Sequence, residues 1–257
     1  MIRGLYTSGW SMLVLNKKMD VLSNNLANVS TNGYKRDVVV LEGFPELLAS
    51  RLYDNKYGIA AGVPVGDLSF SNDIGEIHTV FRQGNLLHTE NLLDMGIKDD
   101  GRAFFSVAVP TGEGYMEFYT RDGGFALNAN GQLVTKQGYY ILGQNGVIQL
   151  NGDQFIVESD GTIIQNGQVI DRLQIRQFSN PNTLRKNGEN LLSPTGETAE
   201  EDFTGQVLQC YIEQSNVDSI REMVDMISLL RSYEANQRII TAMDGTLEKA
   251  VNEVGRV

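Results

Sequence analysis

Two heptad stripes, one at each end of the chain, constrain this sequence more than any other feature. Towards the C-terminus Met226, Tyr233, Ile240, Leu247 and Val254 fall seven apart, and Leu229, Asn236, Met243 and Ala250 form a second row three residues on. An apolar repeat of seven predicts a helix that supercoils left-handedly around a partner helix. Ser215, Asn216 and Asp218 offer N-cap chemistry just before the run, and from Val217 to Lys249 there is no proline and one glycine, Gly245. Met223, at the start of the run, is counted with the stripe. The partner is predicted at the other end. Leu5, Met12, Met19 and Leu26 are again seven apart, with Leu15, Leu22 and Val29 three residues after the last three. The matching seams predict a molecule closed by its termini, although an ordinary antiparallel helix pair inside one globular core would leave the same periodicity. Asn236 falls at a d position, where a buried amide lowers stability but fixes register and partner.

Between the stripes the pattern changes. Ser30-Thr31-Asn32-Gly33 is a stop signal, followed by a short apolar strand over Asp37 to Leu41. From Glu42 to about Asn72, Pro45, Gly58, Gly62, Pro64 and Gly66 punctuate what reads as an extended connector; only Pro45 to Asp54 could hold a further helical turn or two. Beyond it, Asn-Gly and Asp-Gly pairs recur at short spacing: Asp122-Gly123, Asn130-Gly131, Asn145-Gly146, Asn151-Gly152, Asp160-Gly161, Asn166-Gly167 and Asn187-Gly188. They separate runs rich in β-branched and aromatic residues, which predicts antiparallel hairpins with type I′ turns. The expected fold class is α+β: an antiparallel, Gly-rich β-domain (75–211) inserted between two helices that pair as a coiled coil. The N-terminal helix occupies 1–36, the connector 37–74 and the C-terminal helix 212–257.

The chemistry is sparse. A net charge of -11 argues against nucleic acid, whose phosphates call for clustered Lys and Arg. No stretch has the apolar length of a membrane span, and Met1 to Tyr6 lead into no Sec-type apolar region. A single cysteine, Cys210, permits no internal disulfide and reads as a buried small hydrophobe. His78 and His88 lack the further ligands a zinc site needs and read as solvated strand or turn residues. Asn128-Ala129-Asn130-Gly131 lacks the acidic ligands of a calcium loop. Asp99-Asp100 and Glu200-Glu201-Asp202 read as exposed turn charges rather than acid/base pairs. The expectation is a chain that is not an enzyme, with no catalytic residue, no metal, no cofactor and no small-molecule substrate. By themselves these features describe a soluble cytosolic protein.

The two ends carry more specific signatures. Asn24-Asn25-Leu26-Ala27-Asn28-Val29-Ser30-Thr31-Asn32-Gly33-Tyr34-Lys35-Arg36 resembles the N-terminal signature of the bacterial flagellar rod and hook proteins. Ser215-Asn216-Val217-Asp218, Glu222 to Ile227 and Arg231-Ser232-Tyr233-Glu234-Ala235-Asn236 are similar to the C-terminal signature of that family. Tyr119-Thr120-Arg121-Asp122-Gly123 through Gly131 to Thr135 is similar to its core hairpin, and Gln83 to Leu86 with Asn91 to Asp94 to the strand before it. One departure stands out. Family members carry a tight Gly-x-Gly-Phe-Phe, whereas here Asp99-Asp100-Gly101-Arg102-Ala103-Phe104-Phe105 is longer, which predicts a reshaped turn. The connector is closer to the distal than to the proximal rod type and matches neither well.

The resemblance implies a structural subunit of the flagellar basal-body rod, exported without a cleaved signal peptide and placed in the basal body outside the cytoplasm. It implies polymerisation head to tail into a helical tube that transmits torque. The implied partners are copies of the chain, other rod and hook proteins and the flagellar type III export apparatus, with no nucleic acid. The implied assembly interface is the helical ends: Leu5, Met12, Leu15, Met19, Leu22, Leu26 and Val29 with the amides Asn24, Asn25 and Asn28, and Met223, Met226, Leu229, Tyr233, Asn236, Ile240, Met243 and Leu247. Local capping at the helix end is the alternative role for the three amides. A hook or junction-type axial protein is the nearest alternative, and a secreted cell-wall-binding module or hydrolase the alternative from another class.

Overall fold

A computed structural model describes residues 2–43, 47–51, 63–68, 72–112, 114–152, 154–196 and 198–254. Helix α1 spans Ile2–Ala27 and helix α2 spans Ser219–Lys249, closed by a π-type turn at Ala250–Val254. The chain divides into two compact units. One comprises Met1–Asn24, Asp37–His78 and Ile220–Val257, and the other Asn25–Arg36 and Thr79–Ser219. The expected α+β class, with an antiparallel β-rich domain and a helix at each end, is what is seen.

In the first unit the connector is built of paired strands. Asp37–Gly43 lies in one two-stranded sheet with Asn72–Thr79, and Leu47–Arg51 pairs antiparallel with Val63–Leu68. Leu47–Arg51 is therefore a strand, not the helical turn that its sequence allowed. The rest of the stretch from 45 to 54 lies outside the described residues. These two ladders satisfy backbone groups that a bare connector would leave to water.

The second unit is organised on the strand Ala103–Thr111. It pairs with Gly114–Thr120, Tyr140–Gly143 and Ile175–Phe178, all antiparallel. Ala103 to Ala108 are all buried, because the strand packs apolar groups on both faces. One face joins Met95, Ile97, Phe105, Leu133, Ile141 and Ile163 in the main core. The other sets Phe104 among Phe81, Tyr119 and Phe178; the Phe81 and Phe104 rings meet edge to face at 5.8 Å.

The Gly-containing turns are less uniform than their sequence predicts. Asn166 and Gly167 both have positive φ, 53° and 76°, and join Thr162–Gln165 to Gln168–Arg172 as a type I′ turn. Asp122-Gly123 has positive φ at neither residue. Gly123 is there because its backbone lies against the Met95 carbonyl, where a Cβ would overlap the oxygen.

Candidate assembly interface

On α2 the burial follows the heptad. Met226, Leu229, Tyr233, Asn236, Ile240, Met243 and Leu247 are all partly buried, while the residues between them are mostly exposed. Met223 is not on this seam. It lies with Ile220, Val224, Ile227 and Leu230 in a second apolar stripe on the outer face, where Ile220 is 71% and Val224 60% exposed. Glu222, in the first turn, is fully buried at the helix end whose dipole favours a carboxylate.

α1 buries a broader face. Leu5, Met12, Leu15, Met19, Leu22 and Leu26 are partly buried, as is Val29 just beyond the helix. So is a neighbouring row that no apolar ruler picks out: Gly4, Thr7, Ser11, Lys18 and Val21, with Val14 more deeply buried. Within the first unit Gly4 sits directly against the Met243 side chain. Tyr6 and Leu13 are exposed and Trp10 partly so, forming an outer apolar stripe of their own.

The three asparagines at the end of α1 divide. Asn24 is exposed. Asn25 is fully buried, and its Oδ1 accepts from the Tyr34 hydroxyl at 3.3 Å. Asn28 accepts from the Thr31 hydroxyl at 3.1 Å, a local contact at the helix end.

Beyond α1 the chain enters the second unit through a buried charge cluster. Glu213 accepts from Lys35 Nζ at 2.5 Å and the Gly84 N–H at 2.7 Å on one oxygen, and from Arg121 Nε at 2.5 Å on the other. Arg121 also bonds Asp99 and the Ala103 carbonyl. All four charged side chains are at most 6% exposed. Around them the Gly33 N–H donates to the Glu213 carbonyl at 2.7 Å, and the Arg36 N–H to Asn216 Oδ1 at 2.7 Å. Asn216 Nδ2 donates in turn to the Val80 and Arg82 carbonyls. Lys186 stacks over the Tyr34 ring at 4.3 Å. Asn216 thus ties chain segments together, beyond the capping role its position suggested.

The electrostatics follow from burial. Desolvation would push the Asp99 carboxyl up, but the Arg121 charge and hydrogen bond and the N–H groups of Gly101 and Ala103 hold it below 3.8. Burial, reinforced by Arg121, lowers Lys35 against the opposing pull of Glu213. Asp99 is therefore no exposed turn charge. Its oxygens also accept from the N–H groups of Gly101, Arg102 and Ala103, which builds the lengthened turn before Phe104. No signal in the sequence linked Lys35, Arg121 and Glu213, because the strand pairings alone bring them together.

Glu200, Glu201 and Asp202 are exposed, with Arg176 3.0 Å from Glu200 and Arg102 3.8 Å from Glu201. A groove of about 470 Å³ beside them is lined by Asp160, Arg172, Arg176, Glu201 and Asp202, and in it Asp160 faces Arg172 at 3.8 Å. His88 is exposed and packs edge-on against Tyr211 at 4.9 Å. Cys210 is only partly buried, in a left-handed backbone conformation at φ 63°, so it is not the core residue its apolar neighbours suggested. Asn128 accepts from the N–H groups of Asn130 and Gln132, shaping a hairpin turn. Among the described residues no cluster of three or more His, Cys, Asp or Glu could hold a metal ion. Nor is any described helix long and apolar enough to cross a membrane.

Comparison with known proteins aligns with this layout. Residues 11–35 match the flagella basal body rod protein family, 100–163 the D1 domain of flagellar hook protein FlgE/F/G, and 208–253 the flagellar basal body rod FlgEFG protein C-terminal family. The chain is 35% identical to the flagellar basal-body rod protein FlgG of Buchnera aphidicola subsp. Schizaphis graminum, over 97% of this chain and 98% of that protein. It is 31% identical to FlgG of Agrobacterium fabrum, over 95% and 96%. To the flagellar hook-basal body complex protein FlhO of Bacillus subtilis it is 29% identical over the full length of both.

Proposed function

The chain belongs to the flagellar basal-body rod and hook protein family, and on that premise we propose that it is a structural subunit of the rod which polymerises head to tail through its terminal helices. The observation that carries the assembly part is the outer stripe on α2. Ile220, Met223, Val224, Ile227 and Leu230 line one face of a helix while the heptad seam occupies another. Burying five such side chains is worth on the order of 5 kcal/mol, given that each is already partly covered. Association costs about 4 to 15 kcal/mol, so this stripe by itself leaves little or no surplus for a dimer. It contributes where several contacts act together, as in a polymer.

The stripe on α1 (Tyr6, Trp10, Leu13) is aromatic where that on α2 is aliphatic. Contact between unlike surfaces of successive copies is heterologous and need not close, which is the symmetry of a filament. In this reading the helices pair as a coiled coil, and the residues of both rows and both stripes form the interface. The subunit works outside the cytoplasm, reached through the flagellar export apparatus, and its neighbours are copies of itself and other axial proteins. It transmits torque and catalyses nothing.

Electron microscopy of the purified, concentrated protein tests this. Fibres of uniform width support it. A persistent monomer that cleaves purified peptidoglycan would replace it with the hydrolase reading.

A further inference from the structure

We infer that Asn187 is a site of spontaneous deamidation, and that its conversion loosens the clasp by which the hairpin of Arg185–Lys186 and Leu191–Ser193 holds the segment from Asn32 to Lys35. This chemistry belongs to one loop of the β-unit and does not depend on how the chain assembles. In an Asn-Gly pair the glycine amide nitrogen, after giving up its proton to base, attacks the asparagine Cγ. Glycine favours the attack because it has no Cβ to hinder it. The new N–Cγ bond closes an imide ring, the Cγ–Nδ2 bond breaks, and ammonia leaves with a proton taken from water. Water then opens one of the two imide bonds, leaving either aspartate or isoaspartate, whose main chain is one carbon longer.

The chain has six Asn-Gly pairs, and the fold treats them unequally. Attack requires the asparagine side chain and the peptide linking the pair to turn freely, so a hydrogen bond on either slows it. At Asn32-Gly33 the glycine N–H donates to the Glu213 carbonyl at 2.7 Å, and the Asn32 carbonyl accepts from Asn190 Nδ2 at 2.8 Å. The Gly131 N–H donates to the Asn128 carbonyl at 3.0 Å. Asn145 Nδ2 donates to Asp171 at 2.9 Å. Asn151 is gripped at its N–H and its carbonyl by the Gln165 amide, at 3.0 and 3.1 Å. The Asn166-Gly167 peptide is the middle of a two-residue turn, and rotating it undoes the pairing of Gln165 with Gln168. Asn187-Gly188 has no such restraint. Among the described residues neither its linking peptide nor the Asn187 side chain has a hydrogen bond, and both residues are exposed. No atom stands within 4 Å of where a Gly188 Cβ would be.

Conversion here has something to act on. Lys186, just before Asn187, donates through Nζ to the Lys35 carbonyl at 2.6 Å and stacks over Tyr34. Asn190, on the far side of the loop, donates to the Asn32 carbonyl. Between these two grips Gly188, Glu189 and Asn190 all have positive φ, 76°, 43° and 59°, a backbone that only glycine adopts without strain. Deamidation puts a carboxylate next to Lys186, where it competes with the Lys35 carbonyl for the ammonium. Isoaspartate also lengthens the span between the two gripping residues, and the strained residues can then relax away from Asn32.

The test incubates the dilute full-length chain in mildly alkaline buffer, folded and in urea, and maps peptic peptides in acid, where the reaction stops. In the folded chain Asn187 is expected to convert ahead of Asn166. It should convert at least about fivefold faster than Asn32, Asn130, Asn145 or Asn151, the factor for breaking one hydrogen bond of about 1 kcal/mol before attack. In urea the six rates should converge. Amide exchange at Gly33 to Lys35 is then compared between converted and unconverted chains, and is expected to quicken at least about fivefold on conversion. Asn187→Gln, aged in parallel, should keep the slow exchange, because glutamine must close a larger ring and reacts far more slowly. Asn187 converting no faster than the four held asparagines, Asn166 converting first, or the same order in urea would overturn the inference. So would exchange at Gly33 to Lys35 that conversion leaves unchanged, or that quickens equally in Asn187→Gln.

Discussion

At the residue scale Glu213 holds the most exposed position energetically, because two cations depend on it. Removing one partner of a buried pair leaves an uncompensated charge at a cost of roughly 3 to 5 kcal/mol. Glu213→Gln is therefore expected to lower stability by about that amount in urea unfolding, since Lys35 and Arg121 are left with Asp99 alone. The double variant Lys35→Met/Glu213→Gln restores charge balance and should be more stable than Glu213→Gln by itself. Asp99 gives a pH prediction. Its carboxyl is held below 3.8 in the folded state, so its contribution is complete above that value and lost as pH falls through the folded pKa. The stability difference between the parent chain and Asp99→Asn should narrow as pH drops below about 4, read from urea midpoints at several pH values.

At the scale of elements, α2 has two faces with separable roles. Ile227→Asp changes an exposed side chain, so the free subunit should keep its stability within about 0.5 kcal/mol. A charge placed in the outer stripe should nonetheless suppress fibre formation, seen by sedimentation. Unchanged fibres would remove this stripe from the interface. In the β-unit, Gly123→Ala tests a different dependence. Its Cβ would overlap the Met95 carbonyl oxygen, and backbone has nowhere to yield between two paired segments. The expected loss is about 1 to 3 kcal/mol, measured by thermal unfolding.

For the whole molecule, the balance between burial and ordering decides what is folded before assembly. Ordering a backbone residue costs about 1 to 2 kcal/mol, and α2 covers only a narrow seam along its length. The β-unit has a closed core and the Glu213 cluster. In dilute monomer, amide hydrogen exchange is expected to be slow in strands such as Ala103–Thr111 and fast in α1 and α2, with the helices becoming protected in fibres. Equal protection throughout the monomer would contradict this. The cluster also bears on where the β-unit can be cut. A fragment limited to 75–211 lacks both Lys35 and Glu213, and should be less stable than one spanning 25–219 by roughly 3 kcal/mol.

The sequence by itself determined the elements that depend on local spacing. The seven-residue rows marked both helices, the seam on α2 reappears in the burial from Met226 to Leu247, and Asn166-Gly167 announced its turn. These features are legible because side-chain period and backbone preference act within a few residues. Tertiary structure decided what depends on meeting across the chain. Lys35 and Glu213 are 178 positions apart, and Glu213 and Arg121 are 92 apart. Asp99, which read as a surface charge, is buried because Arg121 arrives beside it from another strand. Met223 counts as apolar in any window, yet lies on the outer face because the seam's phase is set by Met226 and Leu229. Gly4 drew no attention in an apolar count, but the absence of a side chain is what lets Met243 approach.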